Sequence, residues 1–211
     1  MDAIFAIISC ALAVVYGVWF SPRTSSVPKS VVKTVSIALL GLIAVLAGGP
    51  FALILGLAFG ALGDFWLSRD GERAFLFGLV SFAIGHIAYV VLLMQFGGRF
   101  DLSLLTIFVL GFAGAMAAVL WPRAADLRWP VMGYVAIIAA MGVLAVGMED
   151  GPMLGTFAAL SFIVSDAILS VEMFILAAGA PIRRVTSRLV WLTYFAAQGM
   201  FLMAFGWQIA L

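Results

Sequence analysis

Asp64 and Asp166 are carboxyls set inside long apolar runs, and a carboxyl in such a place is where chemistry is to be sought. Around them, in other apolar runs, stand His86, Tyr89, Glu172, Tyr194 and Gln198, with Ser81, Ser161, Ser165 and Ser170. A carboxylic acid kept in apolar surroundings holds its proton and can act as a general acid, whereas a wetter one ionises and acts as a base. Two acids working in this way can cleave an acetal-type bond through an oxocarbenium-like transition state. The sequence places no Lys or Arg at their depth, so the expectation is that both must hydrogen-bond or share a proton. Glu172 lies near enough to a helix end to reach the interface and reads as structural. His86 suits an inter-helix hydrogen bond as well as an orienting role, and Tyr89 and Tyr194 read as packing or positioning residues.

The surroundings of these groups are fixed by composition. Of 211 residues, 65% are hydrophobic and 10% charged, where a soluble domain has roughly 45–50% and about 25%. A globule of this size cannot hide so much apolar surface, which excludes a soluble enzyme, a disordered chain and a nucleic-acid binder. The net charge of +1 offers no footprint for a polyanion. The single cysteine, Cys10, excludes an internal disulfide or a thiolate cluster. An integral membrane protein remains.

A membrane helix needs about 20 apolar residues. Polar and Pro/Gly punctuation cuts the chain into eight stretches, 3–20, 31–48, 50–67, 74–94, 101–121, 129–148, 153–178 and 188–210. The expected fold is all-α, a polytopic bundle of eight transmembrane helices forming one domain over 1–211. Pro50 separates the second and third stretches, because it forces the residue before it out of the helical region. Asp2 and the lack of a basic leader make the first stretch an anchor rather than a removed signal. Arg23, Lys29, Lys33, Arg69, Arg73, Arg123, Arg128, Arg183, Arg184 and Arg188 all fall on one side, and Arg99 alone on the other. That bias puts four basic loops in the cytoplasm and both termini outside, as in a bacterial inner membrane.

Helical spacing gathers the polar groups into faces. Phe75, Gly78, Phe82, His86 and Tyr89 form one stripe, and Trp191, Tyr194, Gln198 and Phe205 another. Gly56, Gly60 and Gly63 make a small-residue ridge leading to Asp64. Asp64, Leu67, Ser68 in the third stretch and Asp166, Leu169, Ser170 in the seventh match in spacing, which a parallel four-plus-four repeat would explain. An acid at the centre of a membrane helix costs roughly 3 kcal/mol on insertion scales, so acids there are functional candidates by default. A site at membrane depth suits a lipid substrate, whose phosphate Arg69, Arg73, Arg184 and Arg188 could hold at the rim.

The stretch Gly63-Asp64-Phe65-Trp66-Leu67, Gly85-His86 with Tyr89, Phe162 to Ser165-Asp166, and Tyr194-Phe195-Ala196-Ala197-Gln198 together resemble the YhhN family of lysoplasmalogenase-like membrane proteins. The resemblance covers helices 3 to 8. It implies a hydrolase that cleaves the vinyl ether bond of lysoplasmalogens, giving a fatty aldehyde and a glycerophospho-base. By it, the Asp of Gly-Asp and the Asp of Ser-Asp form the catalytic pair, Asp64 and Asp166. His86, Tyr89, Tyr194 and Gln198 would then orient the water or the ether oxygen. No metal and no cofactor is implied, and the partners are a lysophospholipid and the membrane lipids. The competing readings are a metal site of Asp64, His86 and Asp166, a small proton-coupled transporter, and a lipid-binding membrane protein.

Overall fold

Each apolar stretch forms a helix whose ends are set by local chemistry. The structure is a computed structural model and describes residues 2–207, so the last three residues of the predicted eighth stretch lie outside it. The helices are α1 (Asp2–Val15), α2 (Val27–Leu46), α3 (Phe51–Leu67), α4 (Glu72–Gln95), α5 (Leu104–Leu120), α6 (Arg128–Val146), α7 (Met153–Phe174) and α8 (Arg183–Phe205). A π-helical turn, Tyr16–Phe20, continues α1. The helix starting points differ from the sequence reading where caps decide them. Ser26 accepts the Lys29 backbone N–H and Pro28 sits in the first turn, so α2 begins at Val27, ahead of residue 31. Ser103 caps α5 in the same way, delaying its start to Leu104. Gly48, at φ +68°, turns the chain out of α2 in the left-handed conformation that costs glycine least.

Six spans, with Asp2–Phe20 taken as one, are long and apolar enough to cross a membrane, and α3 and α5 are shorter apolar helices of 17 residues. The distribution of side chains is that of a protein dissolved in lipid. Leu104 and Phe108 are 83% and 70% exposed, while Asp64, His86 and Gln198 are buried. This is an integral, multi-pass membrane protein with an all-helical fold.

Helix pairing follows the chain. α1 packs on α2, α2 on α3, α3 on α4 and α7 on α8, while α6 bridges α4, α5 and α7. Hydroxyls fasten several of these contacts to backbone carbonyls. Ser9 donates to the Ser36 carbonyl (2.7 Å), Thr156 to that of Ala145 (2.8 Å), Ser161 to that of Thr193 (2.8 Å) and Ser165 to that of Val190 (3.0 Å). Ser68 donates to the Ser30 hydroxyl, tying α3 to α2 at 2.6 Å. In hydrocarbon such bonds have no water to compete with them.

The glycine ridge of α3 is the surface on which the aromatic residues rest. A Cβ at Gly56 would strike the Tyr89 ring, one at Gly60 the Gln198 amide, and one at Gly63 would come within 2.6 Å of Phe82. Gly114 of α5, by contrast, faces open space. Gly63→Ala is therefore expected to lower stability by about 1–3 kcal/mol through overpacking, seen as a lower unfolding midpoint in detergent. Gly114→Ala is expected to leave that midpoint unchanged or raise it, since alanine is the better helix former. Equal behaviour of the two variants would mean that the ridge is not close-packed.

Candidate active site

A cavity of about 550 Å³ opens at the end of the bundle that carries the basic loops. Asp64 of α3 and Asp166 of α7 both line it, as do Lys33, Ser165, Trp191 and Tyr194. The two acids come from separate helix pairs and share one space, which is the condition for them to act on one molecule.

Asp64 is fully buried, and two donors hold it. The Lys33 ammonium forms an ion pair with Oδ1 at 2.9 Å, and the Tyr194 hydroxyl donates to Oδ2 at 2.8 Å. This corrects the expectation that no cation reaches either acid. Counted by side, Lys33 reads as a loop charge although it falls at the edge of the second predicted stretch; the earlier start of α2 sets it well within the helix, turned inward. Its ammonium lies 5.8 Å from the Tyr16 ring centre and 5.9 Å from that of Trp191, within cation–π range. The π turn begins at Tyr16, and Gly17 leaves room for the Trp191 ring. The Trp191 indole N–H donates to the Ala13 carbonyl at 2.9 Å, which fixes α8 against α1.

Behind Tyr194 runs a chain of donors with a single direction. Tyr89 donates to the Gln198 carbonyl oxygen, the Gln198 amide donates to the Tyr194 oxygen at 3.2 Å, and Tyr194 donates to Asp64. Because the Tyr194 oxygen already accepts from Gln198, its own hydrogen is free to point at the carboxylate. Asp64 is thus an acceptor from two sides, the role of an ionised carboxylate.

Asp166 has a different environment. The Tyr134 hydroxyl donates to its Oδ2 at 3.0 Å, and His86 Nε2 faces the same oxygen at 3.6 Å. His86 Nδ1 lies 2.7 Å from the Phe82 carbonyl, which can only accept, so Nδ1 carries a hydrogen. In the neutral ring Nε2 then holds a lone pair, aimed at Asp166. At 3.6 Å the two atoms are too far apart to hydrogen-bond, so Nε2 is a buried acceptor without a partner, facing the Asp166 carboxyl. Phe162 packs edge-on against the imidazole, with ring centres 4.4 Å apart, and closes this corner to the interior.

The remaining sequence candidates divide by position. Tyr194 reaches the cavity, whereas His86, Tyr89 and Gln198 stand behind its wall and touch it through the acids or Tyr194. Arg69 lines the mouth; Arg73, Arg184 and Arg188 do not, and Lys29 and Arg183 do. A step of one residue on a helix turns a side chain by 100°, which separates Arg183 from Arg184. Glu172, read as reaching for the interface, is buried on the cavity wall and accepts hydrogen bonds from Thr186 and Ser187. Lys33 and Tyr134 are the residues that sequence reasoning missed. The Ser26-Val27-Pro28 helix start was the signal for Lys33. Asp64, His86 and Asp166 do not gather as metal ligands, and the described residues contain no group of three or more His, Cys, Asp or Glu suited to hold an ion.

The sequence matches the YhhN family over residues 28–206. It is 29% identical over 206 residues to the bovine (Bos taurus) protein named Lysoplasmalogenase TMEM86A, an alignment covering 89% of this chain and 82% of that one. No solved structure matches. The family match begins within the first turn of α2 and runs to the end of α8, so it takes in Lys33 and both cavity aspartates with every helix that holds them: the chain belongs to the YhhN family.

Proposed function

We propose that this protein hydrolyses the vinyl ether bond of lysoplasmalogen-type lysophospholipids, releasing a fatty aldehyde and a glycerophospho-base. The observation that carries the reading is the pairing of unlike acids in one cavity. Asp64 is an ionised acceptor beside Lys33, whereas Asp166 has no cation beside it, is held by the Tyr134 hydroxyl and faces the unpartnered Nε2 of His86, and in this reading keeps its proton. That division is what acid–base hydrolysis of an enol ether needs. The name of the bovine relative supports the choice of bond.

In this mechanism the proton held by Asp166 goes to the vinyl carbon β to the ether oxygen, leaving an oxocarbenium ion. Asp64 faces that cation and takes a proton from the water that adds to it. The hemiacetal then loses the proton on its new hydroxyl as its former ether oxygen gains one, and it separates into aldehyde and alcohol. Tyr194 positions Asp64, Gln198 and Tyr89 position Tyr194, and Tyr134 positions Asp166. At the mouth, Arg69 keeps the phosphate role read from sequence, joined by Lys29 and Arg183. All eight helices cross the membrane in this reading, with the basic loops cytoplasmic and a weak parallel four-plus-four repeat that matches α3 with α7. Transport gains no support from the cavity, whose lining residues all belong to the basic-loop half of the bundle.

Asp64→Asn and Asp166→Asn are each expected to cut aldehyde release by about 10²–10⁴-fold while the protein still purifies folded in detergent. Mass spectrometry of the released aldehyde is the readout, and full turnover in either variant would remove that residue from the mechanism. Lys33→Met is expected to destabilise the fold by about 3–5 kcal/mol, because it strands a buried carboxylate. Adding Asp64→Asn should recover most of that loss in thermal unfolding. A double variant no more stable than the single would show that the ion pair does not hold α2 to α3.

A further inference from the structure

Two small apolar crevices adjoin the main cavity, and Asp166 lies on the wall of all three spaces. The first crevice, between α4, α6 and α7, shares Leu67, Phe75, Phe82, Leu169 and Phe174 with the main cavity. The second, between α5, α6 and α7, shares Tyr134, Val135 and Ser170 with the first. Its other walls are apolar, including Phe112, Met116, Ile138 and Ile163. The spaces therefore lie side by side with shared walls, charged at the basic-loop mouth and apolar at the seam of α5, α6 and α7.

That seam adjoins the membrane. Phe112 is 37% exposed, and of α5 only Thr106, Val109 and Leu120 are buried. Gly111 and Gly114 have no neighbouring atoms that a Cβ would meet. The crevices are narrow, about 30 and 40 Å³, so an occupant must part flexible side chains such as Met116.

We propose that the α5–α6–α7 seam receives the single hydrocarbon chain of the lysophospholipid, which enters sideways from the bilayer while its polar end occupies the main cavity. One amphiphile requires a charged space and an apolar one joined end to end, and the bond between its chain and its glycerol falls where they meet. Asp166 marks that junction. The assignment of the bond at Asp166 rests on the vinyl ether reading; the path for the chain rests on the three spaces adjoining through shared side-chain walls that an occupant must part.

The test uses the wild-type protein in detergent and a lysophospholipid with a saturated, uncleavable alkyl ether chain ending in a diazirine. Irradiation and peptide mapping are expected to place adducts on the seam, at Met116, Ile138 or Ile163, and excess unlabelled alkyl-ether lysophospholipid should suppress them. Suppressible adducts confined to other faces, or none at all, would overturn the path. Met116→Trp and Ala167→Phe narrow the second crevice and supply an independent reading. They should raise KM for a hexadecenyl substrate at least about tenfold over wild type, with kcat and the KM for a butenyl analogue little changed. An equal rise for both lengths would also overturn the path. Labelling does not depend on hydrolysis, so a labelled seam without aldehyde release refutes the reaction and keeps the path. Aldehyde release with the label elsewhere does the reverse.

Discussion

A carboxylate with no exposed surface stays charged in a membrane bundle only where a cation meets it, and for Asp64 that cation is Lys33. Much of the surrounding structure exists to permit this contact. α2 must begin early enough to carry Lys33 below the rim, and Ser26 and Pro28 start it there. The ammonium must be sheltered without being neutralised, and the faces of Tyr16 and Trp191 do so. Those two rings lie 4.3 Å apart and join α1 to α8, so the shelter for the cation is also the contact that closes the bundle on that side. An ion pair in hydrocarbon gains little net stability against its desolvation cost, so its value lies in what it orients.

The two acids are alike in sequence and unlike in use because their donors differ. Asp64 receives a cation and a hydroxyl whose hydrogen is directed by the Gln198 amide. Asp166 receives one hydroxyl and faces a ring nitrogen that, with Nδ1 bound to the Phe82 carbonyl, has a lone pair to offer. His86 thus acts at a distance from the cavity it does not line. Its backbone bond one turn earlier on α4 selects the tautomer, and the tautomer leaves an acceptor nitrogen facing Asp166.

Most of the fold was legible in the sequence because apolar length and Pro/Gly punctuation are strong signals in lipid. The meeting of Asp64 and Asp166 was legible too, since both lie in the same half of helices that run the same way. Lys33 was not, because counting basic residues by side treats each as a loop charge and ignores helix caps. Its case shows that a capping serine outweighs the hydropathy edge when the two disagree by a helical turn. Tyr134 stood alone on α6 with no polar neighbour at helical spacing, so no pattern pointed to it. The rim arginines were confused because loop position says which side of the membrane a charge is on, and only the start of the helix says which way it turns.

Each acid meets a side chain from the other helix pair. Asp64 belongs to the α3–α4 pair, and its hydroxyl donor, Tyr194, comes from α8. Asp166 belongs to the α7–α8 pair, and the imidazole facing it comes from α4. Each acid therefore faces a group of the other pair, while Lys33 of α2 and Tyr134 of α6 hold the acids from outside both pairs. The glycines of α3 matter for the same reason: the distance at which Tyr194 and Gln198 meet this helix is set by the absence of a side chain at Gly60. A wider spacing of α3 and α8 would leave Asp64 in place and part it from Tyr194, whose hydroxyl directs a hydrogen at it.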